Sequence, residues 1–243
     1  MSKYFLKAMV AAAVLMSSAA AHAVLIQDTN VSTNIIYGSG NPNGNFAVDT
    51  ANGIEVGLRA KERFGTNAAN DGNGTYFQPT GFSSGTRAVW NFDWSIYTGA
   101  ASVGRYTYRL GLDFDKGIGT NFQIFDPINV PYADHSFGNG GTAAGAGTEA
   151  VDAAGYAALV GSSSLVQQSW NFDFFDGPGF PFDANDNGTY AIFLEVIGDT
   201  GAVLARSDIT VVVGTGAVPE PGSLALAGLA LAGLTVFGRR RPR

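Results

Sequence analysis

The sequence predicts an all-β domain, mainly antiparallel, of the β-sandwich or jelly-roll-like kind, with one short helix in a long loop and a transmembrane-like helix at the C-terminus. Period-two alternation of apolar and polar residues recurs along the chain, clusters of Gly, Asn and Asp separate the alternating runs, and one segment only has helical composition. Many short strands with such turns are the pattern of two packed antiparallel sheets.

In chain order, Ile54 to Arg59 and Arg105 to Leu112 interleave β-branched, aromatic and polar residues, and similar runs follow at Tyr190 to Ile197 and Ile209 to Val213. Turn-forming clusters lie at 41–45, 70–74, 138–141 and 185–188. The alanine-rich stretch Thr148 to Val160 predicts the helix, with Thr148 as its cap and Ala153, Tyr156 and Val160 near one face. It sits inside a long connection from about Asp134 to Ser164. Trp90-Asn91-Phe92-Asp93-Trp94 is echoed by Trp170-Asn171-Phe172-Asp173-Phe174, and each is followed by a Gly-x-Tyr strand, at Gly104 and at Gly188. This predicts two related hairpins, one on each sheet, with Trp90 and Trp170 as core anchors.

The ends carry targeting signals. Lys3 and Lys7 precede an apolar run from Ala8 to Met16, and Ala21-His22-Ala23 puts small residues at the two positions a signal peptidase must admit. Residues 1–23 are expected to be removed, leaving Val24 first. At the other end Pro219-Glu220-Pro221 precedes an apolar stretch, 224–237, and an arginine cluster at 239–243 that includes Arg239, Arg240 and Arg241. Prolines keep the segment before the apolar stretch extended, and the arginines are expected to stay at the cytoplasmic face, leaving the domain outside. Some fourteen apolar residues fall short of the roughly 20 of a standing span, which suits a transient anchor.

This tripartite end resembles the PEP-CTERM sorting signal. The resemblance implies export in a Gram-negative, exopolysaccharide-making bacterium, and processing of the 218–243 tail by an exosortase, a membrane transpeptidase-like enzyme. It implies a place in the envelope or extracellular (biofilm) matrix. Gly57 to Phe64, Ala133 to Gly138 and Gln168 to Asn171 further resemble a recurrent ectodomain of such proteins that has no assigned biochemical activity.

Composition narrows the chemistry of the 24–217 ectodomain. Eight basic residues face nineteen acidic ones, a net charge of −11, which argues against nucleic acid and anionic polymers as partners. Neutral glycans and divalent cations are the better match. The chain has no cysteine, and with His22 removed His135 is the single histidine, so thiolate and multi-histidine metal sites are excluded.

Four local patterns remain. Asp183, Asn185 and Asn187, followed by Gly188, match the first half of a calcium loop, while Asn-Gly is equally a hairpin turn and position 12 is Leu194. Calcium is the cofactor such a loop would take. Asp113 and Asp115 share a strand face and would suit a glycosidase pair once a facing carboxylate is found. Asp134-His135-Ser136 holds acyl-transfer residue types, but neighbours on an extended chain point apart, and no GxSxG elbow is present. The Pro/Gly loop from Phe174 to Phe182 carries Phe175, Phe180 and Phe182, more rings than such a loop readily buries, and is the candidate ligand surface.

These observations predict an exported structural or glycan-binding β-sandwich without enzymatic activity. The alternatives are a carboxylate-dependent hydrolase acting on polysaccharide, and a protein that self-associates through its sheet edges.

Overall fold

The computed structural model describes residues 25–65, 68–117 and 119–216. The predicted signal segment with Ala21 and Ala23 lies outside the described residues, as do the Pro-Glu-Pro motif, the apolar stretch and the arginine cluster. Among the described residues no helix is long and apolar enough to cross a membrane.

The described residues form fourteen strands: β1 (Ile26–Thr29), β2 (Phe46–Ala51), β3 (Ile54–Glu62), β4 (Ala69–Asn70), β5 (Thr75–Gln78), β6 (Phe82–Ser84), β7 (Arg87–Ala88), β8 (Trp90–Tyr97), β9 (Thr107–Asp113), β10 (Phe122–Phe125), β11 (Ser136–Gly138), β12 (Leu165–Asn171), β13 (Gly188–Ile197) and β14 (Val203–Val213). One sheet runs β1-β2-β3-β8-β12-β11 and the other β10-β9-β13-β14-β5-β4, with β6 and β7 as a small ribbon. Pairing is antiparallel except between β14 and β5. The period-two alternation does what it predicts. Ile54, Val56, Leu58 and Ala60 of β3 and Trp90, Phe92, Trp94 and Ile96 of β8 meet Leu110, Leu112, Ile192, Leu194 and Val211 of the second sheet in one buried cluster. Each large apolar side chain so buried contributes about 1.5–3 kcal/mol. Trp90 sits at one end of this core, stacked on Phe172 at 5.3 Å and tilted against Tyr190 at 6.2 Å.

The internal repeat is present but arranged otherwise than the sequence predicts. Both Trp-Asn-Phe-Asp strands lie side by side in the first sheet, and the two strands that follow them pair in the second. Equivalent residues face each other in both pairs, Asn91 opposite Asn171 and Leu110 opposite Leu194, so the registers are self-complementary. The two tryptophans differ because of their neighbours: Trp90 is fully buried, while Trp170 is half-buried on β12, which has β8 on one side and only the short β11 on the other.

The helix, α1, spans Ala153–Ser162 rather than starting at Thr148. Asp152 is the cap, its Oδ1 accepting the Gly155 N–H at 2.7 Å. Thr148 cannot serve, because its backbone exchanges two 2.9 Å hydrogen bonds with Phe137 in an isolated bridge. Of the predicted face Tyr156 alone is buried, with its hydroxyl donating to the Ile128 carbonyl at 2.8 Å.

The outer face of the first sheet is covered by the segment 30–45. Val31, Ile35 and Tyr37 form a second, smaller core with Phe46 and Val48 of β2. Close approach requires Gly57 below: a Cβ there would stand 2.7 Å from Val31 Cγ1. Polar side chains of the sheet fasten the cover. Gln167, fully buried, accepts the Ile36 N–H at 2.8 Å and donates to the Asn34 carbonyl at 3.1 Å and Ser95 Oγ at 3.0 Å. The Glu55 carboxylate accepts the Ser32 N–H at 2.9 Å, and its burial raises its pKa above the ordinary glutamate value.

Candidate functional site

The cover ends short of the sheet. Where β3, β8 and β12 run past it, a groove of about 700 Å³ opens, with Lys61, Asn91 and Ser169 among its lining residues. Lys61 pairs with Asn91 in the β-ladder, and Asn91 Nδ2 donates to Ser169 Oγ at 3.0 Å, so these three residues of neighbouring strands form a hydrogen-bonding floor. One wall is the cover segment from Tyr37 to Asn41. The lining of the groove also includes the turn after β3, Arg63 to Gly65, with Asp134, Trp170 and Phe174.

Two phenylalanines stand out of the protein here. Phe64 is 84% exposed and Phe174 49%. Each ring is backed by a guanidinium, Arg63 over Phe64 at 4.9 Å and Arg87 over Phe174 at 4.7 Å. Phe64 also has φ of 59°, the left-handed region that a bulky L-residue adopts only at a cost of order 1–2 kcal/mol. An exposed aromatic held in a strained turn is opposite to what stability alone would select.

Beneath the cover lies a fully buried ion pair. Arg59 Nε donates to Asp93 Oδ2 at 2.8 Å, and both side chains are solvent-inaccessible. Tyr37 donates its hydroxyl hydrogen to the same carboxylate oxygen, and Arg59 also donates to the Pro42 and Gly44 carbonyls at 2.9 and 2.8 Å. Burial, then the neighbouring Asp93 charge, push the Tyr37 hydroxyl well above its usual pKa. The pair therefore ties β3 and β8 to the residue that opens the groove wall.

The residues singled out from the sequence take other places. Asp183 Oδ1 accepts the Asn185 N–H at 2.9 Å, Asn187 Oδ1 accepts the Thr215 N–H at 2.9 Å, and Lys116 pairs with Asp186 at 2.7 Å. The half-loop is thus held as a turn by its own oxygens. Among the described residues no three of His, Cys, Asp and Glu gather as a metal-holding group. Asp113 is buried and accepts the Asp115 and Asn121 N–H groups at 3.0 and 2.6 Å, while Asp115 accepts the Gly117 N–H at 2.8 Å. These carboxylates shape the β9–β10 connection instead of facing one another.

The phenylalanine loop folds back on the sandwich. Phe182 is core, against Trp90, Phe172 and Tyr190; Phe180 packs on Phe114 at 5.5 Å and Phe175 on Phe125 at 5.4 Å. Only Phe174 of that loop is among the strongly exposed apolar residues.

His135 is sealed among Trp94, Trp170, Phe137 and Tyr156, with Nε2 on the Pro127 carbonyl at 2.8 Å. Burial lowers its pKa, so it folds neutral. Below the unfolded pKa of about 6.5 the unfolded chain binds a proton that the folded chain refuses, and stability falls with pH by up to about 1.4 kcal/mol per unit. Unfolding measured from pH 7 to 5 is expected to show that loss as the difference between wild type and His135→Gln. This comparison also cancels the opposite-signed contribution of Glu55.

Residues 217–241 match the family model for the PEP-CTERM protein-sorting motif. The chain carries a PEP-CTERM sorting tail. Such a motif supports an exported protein handled by an exosortase-type enzyme, and no curated protein matches the chain. The PEP-CTERM match begins at the residue that follows Gly216, the last described residue. Gly214 N–H donates to the Gln78 carbonyl at 2.8 Å, Thr215 to Asn187, and Gly216 to the Val213 carbonyl at 3.1 Å. Asn187 thus fastens the segment that follows β14.

The sequence reading missed Tyr37, Lys61, Phe64, Asn91 and Ser169 as groove residues. One local signal was available: an aromatic between Arg63 and Gly65 at the end of an alternating run is a ring placed in a turn.

Proposed function

We propose that this protein is delivered through its PEP-CTERM tail to the outer side of the inner membrane, with the arginine cluster left in the cytoplasm. Released or re-linked in the envelope or extracellular matrix, the sandwich binds polysaccharide in the groove without cleaving it. The observation that carries this reading is the pairing of two exposed, arginine-backed rings, Phe64 and Phe174, with a hydrogen-bonding floor of Lys61, Asn91 and Ser169. Sugars present apolar ring faces and equatorial hydroxyls, and this surface offers a partner for each. Hydrolysis needs two carboxyl groups across the scissile bond, whereas Asp134 is the one carboxylate among the groove residues.

The test is the affinity of the full-length chain, in neutral detergent, for polysaccharides from its own matrix. Phe64→Gly with Phe174→Ala removes two stacking contacts of about 1 kcal/mol each, so binding is expected to weaken about thirtyfold. Stability is expected to hold, because glycine relaxes the strained turn at 64. Unchanged affinity in a folded double variant would remove the groove as the binding site.

A further inference from the structure

The charge of the groove runs against the charge of the chain. The ectodomain has a net charge of −11, yet the groove is lined by Lys61 and Arg63 against Asp134 alone. Asp134 is already engaged, its Oδ1 accepting from Gln168 Nε2 at 3.2 Å.

Among the described residues Lys61 and Arg63 make no ion pair. Lys61 is only 5% exposed, and its one partner is neutral: Asn41 Oδ1 at 2.6 Å, with that amide oriented by its own donation to the Tyr37 carbonyl at 3.0 Å. The nearby Asp93 lies below and is bound to Arg59 and Tyr37. Arg63 keeps a buried guanidinium nitrogen, Nη1, with no hydrogen-bond partner among the described residues. Withdrawing an ammonium and a guanidinium from water without a counter-charge costs free energy, and an arriving anion would recover it. Burial already lowers the Lys61 pKa, the direction expected of an ammonium short of negative charge.

Resting on the glycan reading above, we propose that the groove selects acidic saccharides, with a uronate carboxylate seated between Lys61 Nζ and the Arg63 guanidinium and the sugar ring lying along Phe64. Lys61 and Arg63 sit two residues apart across the end of β3, and Phe64 follows at once, so charge and stacking platform come from one turn. The net charge of the domain discourages polyanions at large, and the groove is the local exception that makes recognition selective.

The probes are polygalacturonate and its fully methyl-esterified form, the same polymer with its carboxylates masked, titrated calorimetrically into the full-length chain in neutral detergent. The acid form is expected to bind at least about tenfold more tightly than the ester, as one charge-assisted hydrogen bond allows, and more weakly as salt is raised. Lys61→Met and Arg63→Gln are each expected to erase most of that difference. Arg63 is part-exposed, so R63Q keeps the test alive if K61M fails to fold. Equal binding of acid and ester, or an unchanged preference in both variants, overturns the proposal. The glycan reading survives that result if Phe64→Gly still weakens both polymers. If neither polymer binds, the proposal falls, and a neutral glucan decides the parent reading: Phe64-dependent binding keeps it and no binding removes it. Equally tight binding of a single-stranded oligonucleotide would show general polyanion binding and also overturns the proposal.

Discussion

Asp93→Ala is expected to destabilise the sandwich by about 3–5 kcal/mol, because it leaves the Arg59 guanidinium charged and sealed from water. Arg59 keeps its two carbonyl acceptors and its place 4.3 Å over the Phe46 ring, but loses the carboxylate it is paired with. The Tyr37 hydroxyl loses its acceptor in the same step. For a domain of this size the loss corresponds to a fall in Tm of roughly 10 °C. Replacing the triad as a unit, with Arg59→Leu, Asp93→Leu and Tyr37→Phe together, is expected to restore much of it, since matched apolar groups avoid the desolvation of both charges. Denaturant unfolding of the two variants separates the readings. A single variant within about 1 kcal/mol of wild type would mean that water reaches Arg59.

Gln167→Ala is the second large effect, and it joins stability to binding. Removing this amide strands the buried Ile36 N–H of the cover segment, at about 1–3 kcal/mol for a group left buried and unpaired, and takes the donor from the part-buried Asn34 carbonyl. Because residues 37–41 continue from that clasp into the groove wall, the variant is expected to bind polysaccharide more weakly although Gln167 does not line the groove. Hydrogen exchange at the Ile36 amide would quicken by more than tenfold. Unaltered exchange at Ile36 would show that other contacts hold the cover.

What could be foreseen from the chain was what depends on near neighbours. Strand alternation in β3, β9, β13 and β14 and the turns between them are local, so the all-β class and its mostly antiparallel pairing follow from spacing alone. Which sheet a strand joins depends on its partner, and the duplicated Trp-Asn-Phe-Asp strands proved to be each other's partners through β8 and β12. The helix start moved from Thr148 to Asp152 for the same reason: a distant strand claims the Thr148 backbone. Phe175, Phe180 and Phe182 looked exposed because their loop is rich in Gly and Pro. A short 3₁₀ turn at Phe172–Phe175 folds that loop onto the core and leaves Phe174 outside. The groove was least foreseeable, since its residues come from five separated stretches between Tyr37 and Phe174 and meet only because the cover segment stops before the strands do.

Sorting is the premise on which the groove has access to extracellular polymer at all. The intact mass of the protein from its native cells, taken separately for the membrane fraction and the medium, tests it most directly. A chain that begins at Val24 and stops between Pro219 and Gly222 is the expected result, with any material linked to a further group heavier by that group. A chain recovered only with Arg243 still at its end would contradict the account, and the tail would then be a standing anchor.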